Sequence, residues 1–251
     1  MSLALLCLVS QVANAHEYWL EPDAFMLDPQ AALSVTVRIG ENLEGRPYPF
    51  DPRAYRYAVW SGPEGRADLN GQSVRGSLQK LQALGAGLHS LTVSSFEQSL
   101  TYPSQDKLLQ FLESVGHEAL LTSPAAKTLP TSQITENYRR SSKLLVHFGA
   151  MRDADRRVGS DREWVAVEDG FILHDRHGVI ENHPVQIYCR SPQGAPAVVR
   201  QEVTTDGQGK VFPTLPPASQ CLLNAVIIES EGAYSDLESD WVSLYFQTEE
   251  R

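Results

Sequence analysis

The chain has 251 residues, 42% hydrophobic and 21% charged, which fits one large or two modest packed domains and excludes wholesale disorder or a collagen-like repeat. Its formal net charge is -10 and basic residues form no run longer than a pair, so the basic face needed to neutralise phosphate is missing and nucleic acid is not an expected partner. The acidic balance suits solubility and is compatible with cation binding.

Residues 1–15, MSLALLCLVSQVANA, carry no charge, run apolar from Leu3 to Val9 and close on Ala13-Asn14-Ala15. An apolar core followed by a small-x-small site is the form of a secretory signal peptide, here without a basic leading region. Cleavage after Ala15 makes His16 the first mature residue and predicts a periplasmic or secreted protein. The run is too short to span a bilayer, and no later stretch is long enough. Cys7 leaves with the signal. The remaining pair, Cys189 and Cys221, is compatible with one disulfide in an oxidising compartment or with two separately buried thiols.

The first strong strand signal is Leu33–Ile39, where Leu33, Val35, Val37 and Ile39 face one way and Ser34, Thr36 and Arg38 the other. Further strands are expected at Tyr55–Trp60, Gly76–Leu81 and His89–Val93, separated by turn residues such as Gly85 and Gly87. The period changes at Leu108, Phe111, Leu112 and Val115, a helical stripe that ends at Gly116. Ser132 is a candidate cap for a second helical segment through Tyr138 and Arg140, and Leu144–Phe148 reads as an apolar strand. Residues 151–163 hold eight charged side chains and read as a solvated loop. Val185, Ile187 and Cys189 then alternate, Val198, Val199 and Val203 continue, and Thr205-Asp206-Gly207-Gln208-Gly209 is a hairpin signal. Cys221–Ile228 and Trp241–Phe246 complete the set. The expected fold is mainly β: an N-terminal β-sandwich over residues 16–175 with a helical insertion at about 105–142, and an immunoglobulin-like or transthyretin-like sandwich over 180–251.

The mature start, His16-Glu17-Tyr18-Trp19-Leu20-Glu21-Pro22, resembles the opening of the DUF4198 family. Similar blocks follow in order: Gly40-Glu41 with Gly45, the helix Leu108–Gly116, and the run Glu136-Asn137-Tyr138-Arg139-Arg140-Ser141-Ser142-Lys143-Leu144-Leu145-Val146. The closing strand Asp240-Trp241-Val242-Ser243-Leu244-Tyr245-Phe246 is similar too. The resemblance covers nearly the whole mature chain, departing over Val158–Val179. It implies an exported protein of the kind described as a periplasmic component of cobalt or nickel uptake, with a membrane transporter as partner. It also implies a second half like a carboxypeptidase-regulatory or collagen-adhesin-type sandwich, where Gly194-Ala195-Pro196 and Leu215-Pro216-Pro217 match.

Signal cleavage gives His16 a free α-amine with an ordinary pKa of about 8. That amine and the imidazole Nδ1 of the same residue can close a chelate ring on a borderline ion such as Ni(II), Co(II), Cu(II) or Zn(II). Position 18 is Tyr18, so the simple amino-terminal clamp with a third-position histidine is absent and further ligands must come from the fold. His89 and His147 are the candidates, and Glu17 or another carboxylate can add an oxygen. His117 follows a helix end, His174 and His177 sit in a glycine-flanked stretch, and His183 precedes Pro184; each has an ordinary structural explanation. Tyr55, Tyr57, Trp60 and Tyr102 form a sugar-stacking platform only if several face solvent, and strand packing is the commoner role. No nucleophile elbow, P-loop, dinucleotide turn or His-Glu-x-x-His motif is present, so no enzyme is indicated. The leading expectation is an exported binding protein for nickel, cobalt or copper; a non-metal binding or adhesion scaffold and a copper oxidase of the histidine-brace type are the alternatives.

Overall fold

The computed structural model describes residues 17–70, 80–123, 127, 129–149, 153–191, 198–229 and 235–250. The expected signal segment, His16 and most of the strand expected at Gly76–Leu81 lie outside them.

The chain is mainly β, with 55% of it in strands and 9% helical. Its frame is the fifteen-residue strand Ile134–Phe148. Along Glu136–Leu144 it pairs in parallel with Leu237–Tyr245 of the last strand. On its other side it meets the Gln98–Tyr102 strand and then the Gly87–Ser95 strand, both antiparallel. Around this strand the sheet extends one way through Gly87–Ser95, Tyr55–Gly62 and Gly65–Asp68. The other way it runs through Leu237–Gln247, Gln220–Glu229, Pro184–Arg190 and Val199–Thr204. The boundary expected near residues 175–180 is therefore bridged by one continuous sheet.

Alternation along the strands assigns each residue to one of two layers. One face, with Leu144, Val146, Phe148, Leu222 and Tyr245, packs against Trp19, Leu20, Val35 and Val37. Those residues belong to the small sheet of Glu17–Pro22, Val35–Glu41 and Glu44–Pro49. The opposite face, with Leu145, Leu223, Val242 and Leu244, packs against Trp164, Phe171, Leu173 and Val211 of a second three-stranded sheet. The two expected sandwiches thus share their middle layer. Coverage on both faces explains why residues 141–146 are buried without interruption. Across the first interface Arg190 binds Glu21 at 2.6 Å, and Arg38 holds the other Glu21 oxygen at 2.5 Å.

The helix runs Gln105–Ser114, with the Ser104 hydroxyl accepting from Lys107 N–H at its start. Leu108, Phe111 and Leu112 form the predicted stripe, and Phe111 stacks between Tyr102 and Trp241 at 5.6 and 5.7 Å. The second helix expected through Tyr138 and Arg140 is instead the start of the long strand. Ile134 and Glu136 are buried while Thr135 and Asn137 are half-buried, a period of two. The Gln98–Tyr102 partner supplies the ladder that a helix would have to supply internally. The Asp206–Gly209 turn forms as its sequence suggests, with Asp206 Oδ1 accepting from Gln208 and Lys210 N–H groups. Its flanking strands enter different sheets, so it is a crossover between layers and not a hairpin.

Trp19 fixes the small sheet from beneath. A Cβ at Gly45 would stand 2.8 Å from Trp19 Cη2, so that position needs glycine for the indole to lie against the backbone. Tyr55, Trp60 and Tyr102 are also buried, which removes the sugar-stacking platform.

Cys189 and Cys221 stand opposite each other on neighbouring strands and form a disulfide closing a loop with a sequence separation of 32. Replacing both by alanine should lower the unfolding free energy by about 2–4 kcal/mol. Urea unfolding with and without reductant checks this; coincident midpoints would contradict it.

Candidate functional site

The described chain begins on a strand, and its first side chain is chemically unusual. Glu17 pairs with Gly40 and is buried, at 8% exposure. The Tyr188 hydroxyl, the Asn42 backbone N–H, Glu41 and Arg200 lie around its carboxyl, and the Tyr188 hydroxyl donates to Gln186 Oε1 at 3.2 Å. Oε2 is buried and has no hydrogen-bond partner among the described residues. Burial outweighs these neighbours and pushes the Glu17 pKa up to about 7. The same burial, with the Glu17 charge beside it, raises the Tyr188 phenol well above its ordinary range. Next along the strand Tyr18 shares a hydroxyl–hydroxyl hydrogen bond with Tyr55.

The sequence-predicted ligands do not converge. His16 lies outside the described residues. His89 is 1% exposed, and its ring lies 5.1 Å from Trp60 and 4.8 Å from Phe148. Its Nε2 accepts from Leu84 N–H at 2.7 Å, which leaves Nδ1 to donate to the Gly87 carbonyl at 3.0 Å. Both nitrogens are engaged within the protein, and a Cβ at Gly62 would meet His89 Nε2 at 2.4 Å, so the ring fills its slot completely. Burial lowers its pKa. His147 pairs with Leu88 while His89 pairs with Val146, so the two imidazoles point to opposite faces of the sheet. No group of three or more His, Cys, Asp or Glu side chains suited to a metal ion exists among the described residues.

The structure instead brings together His117 and His183, with ring centroids 5.1 Å apart. Both Nε2 atoms donate to the Val226 carbonyl, at 2.7 and 3.1 Å. The pair ties the segment after the helix and the start of the Pro184–Arg190 strand to the Gln220–Glu229 strand. Burial, with His117 alongside, lowers the His183 pKa to about 4. Sequence spacing gives no sign of this contact, since the two residues stand in separate segments.

A second polar centre lies within the loop expected to be solvated. Lys143, on the long strand, has a side chain only 1% exposed, and its Nζ is 2.8 Å from Asp155 Oδ1. Glu163 is 3.7 Å from the same nitrogen and its side chain is fully buried. The one available sign was Lys143 itself, a cation at the head of the apolar run Leu144–Phe148.

With this geometry in view, the chain can be placed. The family model described as "Domain of unknown function (DUF4198)" matches residues 13–229, and the chain belongs to that family. No curated protein matches the sequence. Among solved structures it is similar to the "D0-D1 domain of Intimin", at 13% identity over 92% of this chain and 98% of that one. The TM-score is 0.18, a likeness too slight to carry an argument. No helix among the described residues is long and apolar enough to cross a membrane.

Two opposed pH dependences follow. The folded Glu17 keeps its proton from the ordinary value of 4.5 up to about 7, so stability falls as pH rises through that window, by ~3.5 kcal/mol at about 1.4 kcal/mol per pH unit. The folded His183 resists protonation from 6.5 down to about 4, so its contribution is lost as pH falls through that range. Glu17→Gln should therefore be more stable than the wild type at pH 8 and should leave a stability that rises with pH across the acid range. Urea denaturation at pH 4.5, 6 and 8 measures both; an unchanged pH profile in the variant would refute the assignment.

Proposed function

We propose that this protein is an exported transition-metal-binding protein, serving nickel, cobalt or copper handling, whose ion sits at the amino terminus of the mature chain. The observation that carries the reading is Glu17: a buried carboxylate with an orphaned oxygen and a pKa of about 7, directly following His16 in sequence. An acceptor left without a donor in a buried site is costly, and a bound cation relieves that cost while displacing the carboxyl proton. Removal of the leader after Ala15 gives His16 an amine and an imidazole, two nitrogen donors on one residue that suit a borderline ion. Glu17 then adds an oxygen. His89 is left out of this ligand set because its two nitrogens are already used inside the core.

The disulfide between Cys189 and Cys221 supports folding in an oxidising compartment such as the periplasm. Membership of the DUF4198 family agrees with the resemblance from which the uptake role was inferred. A membrane transporter is the proposed downstream partner.

Calorimetric titration with Ni(II), Co(II) and Cu(II) tests the reading on correctly processed protein. One ion per chain is expected, with affinity rising with pH as Glu17 releases its proton through about 7. One extra residue ahead of His16 should weaken binding by at least about tenfold, or 1.4 kcal/mol. Glu17→Gln should also weaken binding while preserving the fold. Equal affinity in all three proteins would reject the site.

A further inference from the structure

The three-residue centre at Lys143 is more than a salt bridge in its geometry. Lys143 Nζ lies 2.8 Å from Oδ1 and 2.9 Å from Oδ2 of Asp155, so it faces the carboxyl carbon from between its two oxygens. That arrangement holds the nitrogen against the carboxyl group, and a rise of Nζ out of the carboxyl plane brings it onto the line of attack on Cγ. Asp155 is fixed in place by backbone N–H groups on both oxygens, from Arg156 at 2.8 Å and Ala166 at 2.9 Å. The Arg156 and Trp164 carbonyls steer the amine, accepting from Nζ at 2.9 and 3.0 Å. Glu163 completes the group, with Oε2 3.7 Å from Nζ and its carboxylate held by the Val158 and Gly159 N–H groups. The side chains of Lys143, Asp155 and Glu163 are 1%, 3% and 0% exposed. Beside them lies a cavity of about 40 Å³ that Asp155 lines together with His89, Asp153 and Arg156. That is room for a water molecule among polar partners.

We propose that Lys143 and Asp155 react with each other to form an intramolecular isopeptide bond, with Glu163 shuttling the proton. Transfer of one proton from the ammonium to the Asp155 carboxylate gives a neutral amine and a neutral acid without changing the net charge of the pair. Nζ then attacks Cγ. The backbone N–H groups on Asp155 stabilise the developing oxyanion. Glu163 takes the second amine proton and passes it to the departing hydroxyl, which leaves as water into the adjoining cavity. The third proton stays on the amide nitrogen, Glu163 returns to its carboxylate form, and no oxidant, metal or nucleotide is consumed. Two buried charges are replaced by one neutral amide, which removes the desolvation cost that a buried ion pair carries.

The test begins with the wild-type protein, denatured and fully reduced, after its amino terminus has been sequenced. Its intact mass should be lower than that of the linear chain by one water, and trypsin should fail to cut after Lys143. An intact mass equal to the linear chain overturns the proposal. So does a water loss accompanied by normal cleavage after Lys143, which marks dehydration at another residue. Glu163→Gln should show the full linear mass and regain the cut after Lys143; a variant as light as the wild type overturns the role of Glu163. The wild-type mass decides the matter if that variant fails to fold.

Discussion

A strand buried on both faces is the constraint on which the rest of this structure depends. Ile134–Phe148 supplies alternate side chains to two separate cores, so neither core can form without it. Its parallel pairing with Leu237–Tyr245 needs the two segments, about a hundred residues apart, to arrive in register from opposite ends of the fold. Parallel neighbours cannot be joined by a tight turn, so the intervening chain has to cross over. Here the crossover is the whole second three-stranded sheet together with the Pro184–Arg190 and Gln220–Glu229 strands. Non-local pairing of this kind is costly in loop-closure entropy, and it gains stability only when both layers have closed over the shared sheet.

Much of the fold was legible because burial leaves a period in the sequence. Val35–Ile39 and Val185–Cys189 alternate, and the stripe at Leu108, Phe111 and Leu112 has helical spacing; each became the element its period predicts, while Leu33, read as part of the first run, falls in a separate short strand paired with Leu81. Periodicity reports which side chains share a face and not which strand lies alongside. It therefore divided the chain into two successive sandwiches and gave no hint of the shared sheet. The segment from Ile134 to Arg140 misled for a related reason. Its polar side chains occupy a stretch that joins the sheet through backbone bonds to the Gln98–Tyr102 and Leu237–Gln247 strands. The amino-terminal reading reached Glu17 through its neighbour His16, but nothing in the sequence tells that one of its oxygens is buried and unpaired.

The loop beyond Phe148 reads as solvated because eight of thirteen residues in 151–163 are charged. Composition is a poor guide when the partner of those charges is itself buried. Once Lys143 occupies the covered part of the long strand, an acid must follow it inside, because a lone buried cation is far more costly than a paired one. Asp155 and Glu163 meet that need, and Val158 and Ser160 are drawn in with them. The surface charge of the loop is carried by other residues: Arg56 pairs with Asp161, and Arg162 with Glu229 and Asp240.

The buried acids of this protein differ in how their oxygens are satisfied, and that difference separates architecture from candidate chemistry. Glu136 receives the Tyr102 hydroxyl at 2.5 Å on one oxygen and the Ser239 hydroxyl on the other. Glu163 receives two backbone N–H groups as well as the approach of Lys143. Asp155 has a donor on each oxygen before its lysine is counted. Glu17 alone among the buried carboxylates of the described residues keeps an oxygen without any donor. Its neighbours Tyr188 and Asn42 reach only part of the group, and the Glu41 charge opposes its ionisation. A fold that provides donors for every other buried acid leaves this one open at the edge where the mature chain would begin. A cation bound there would gain what protein donors supply elsewhere, so the proposed metal site rests on this residue together with His16 and not on the core residue His89.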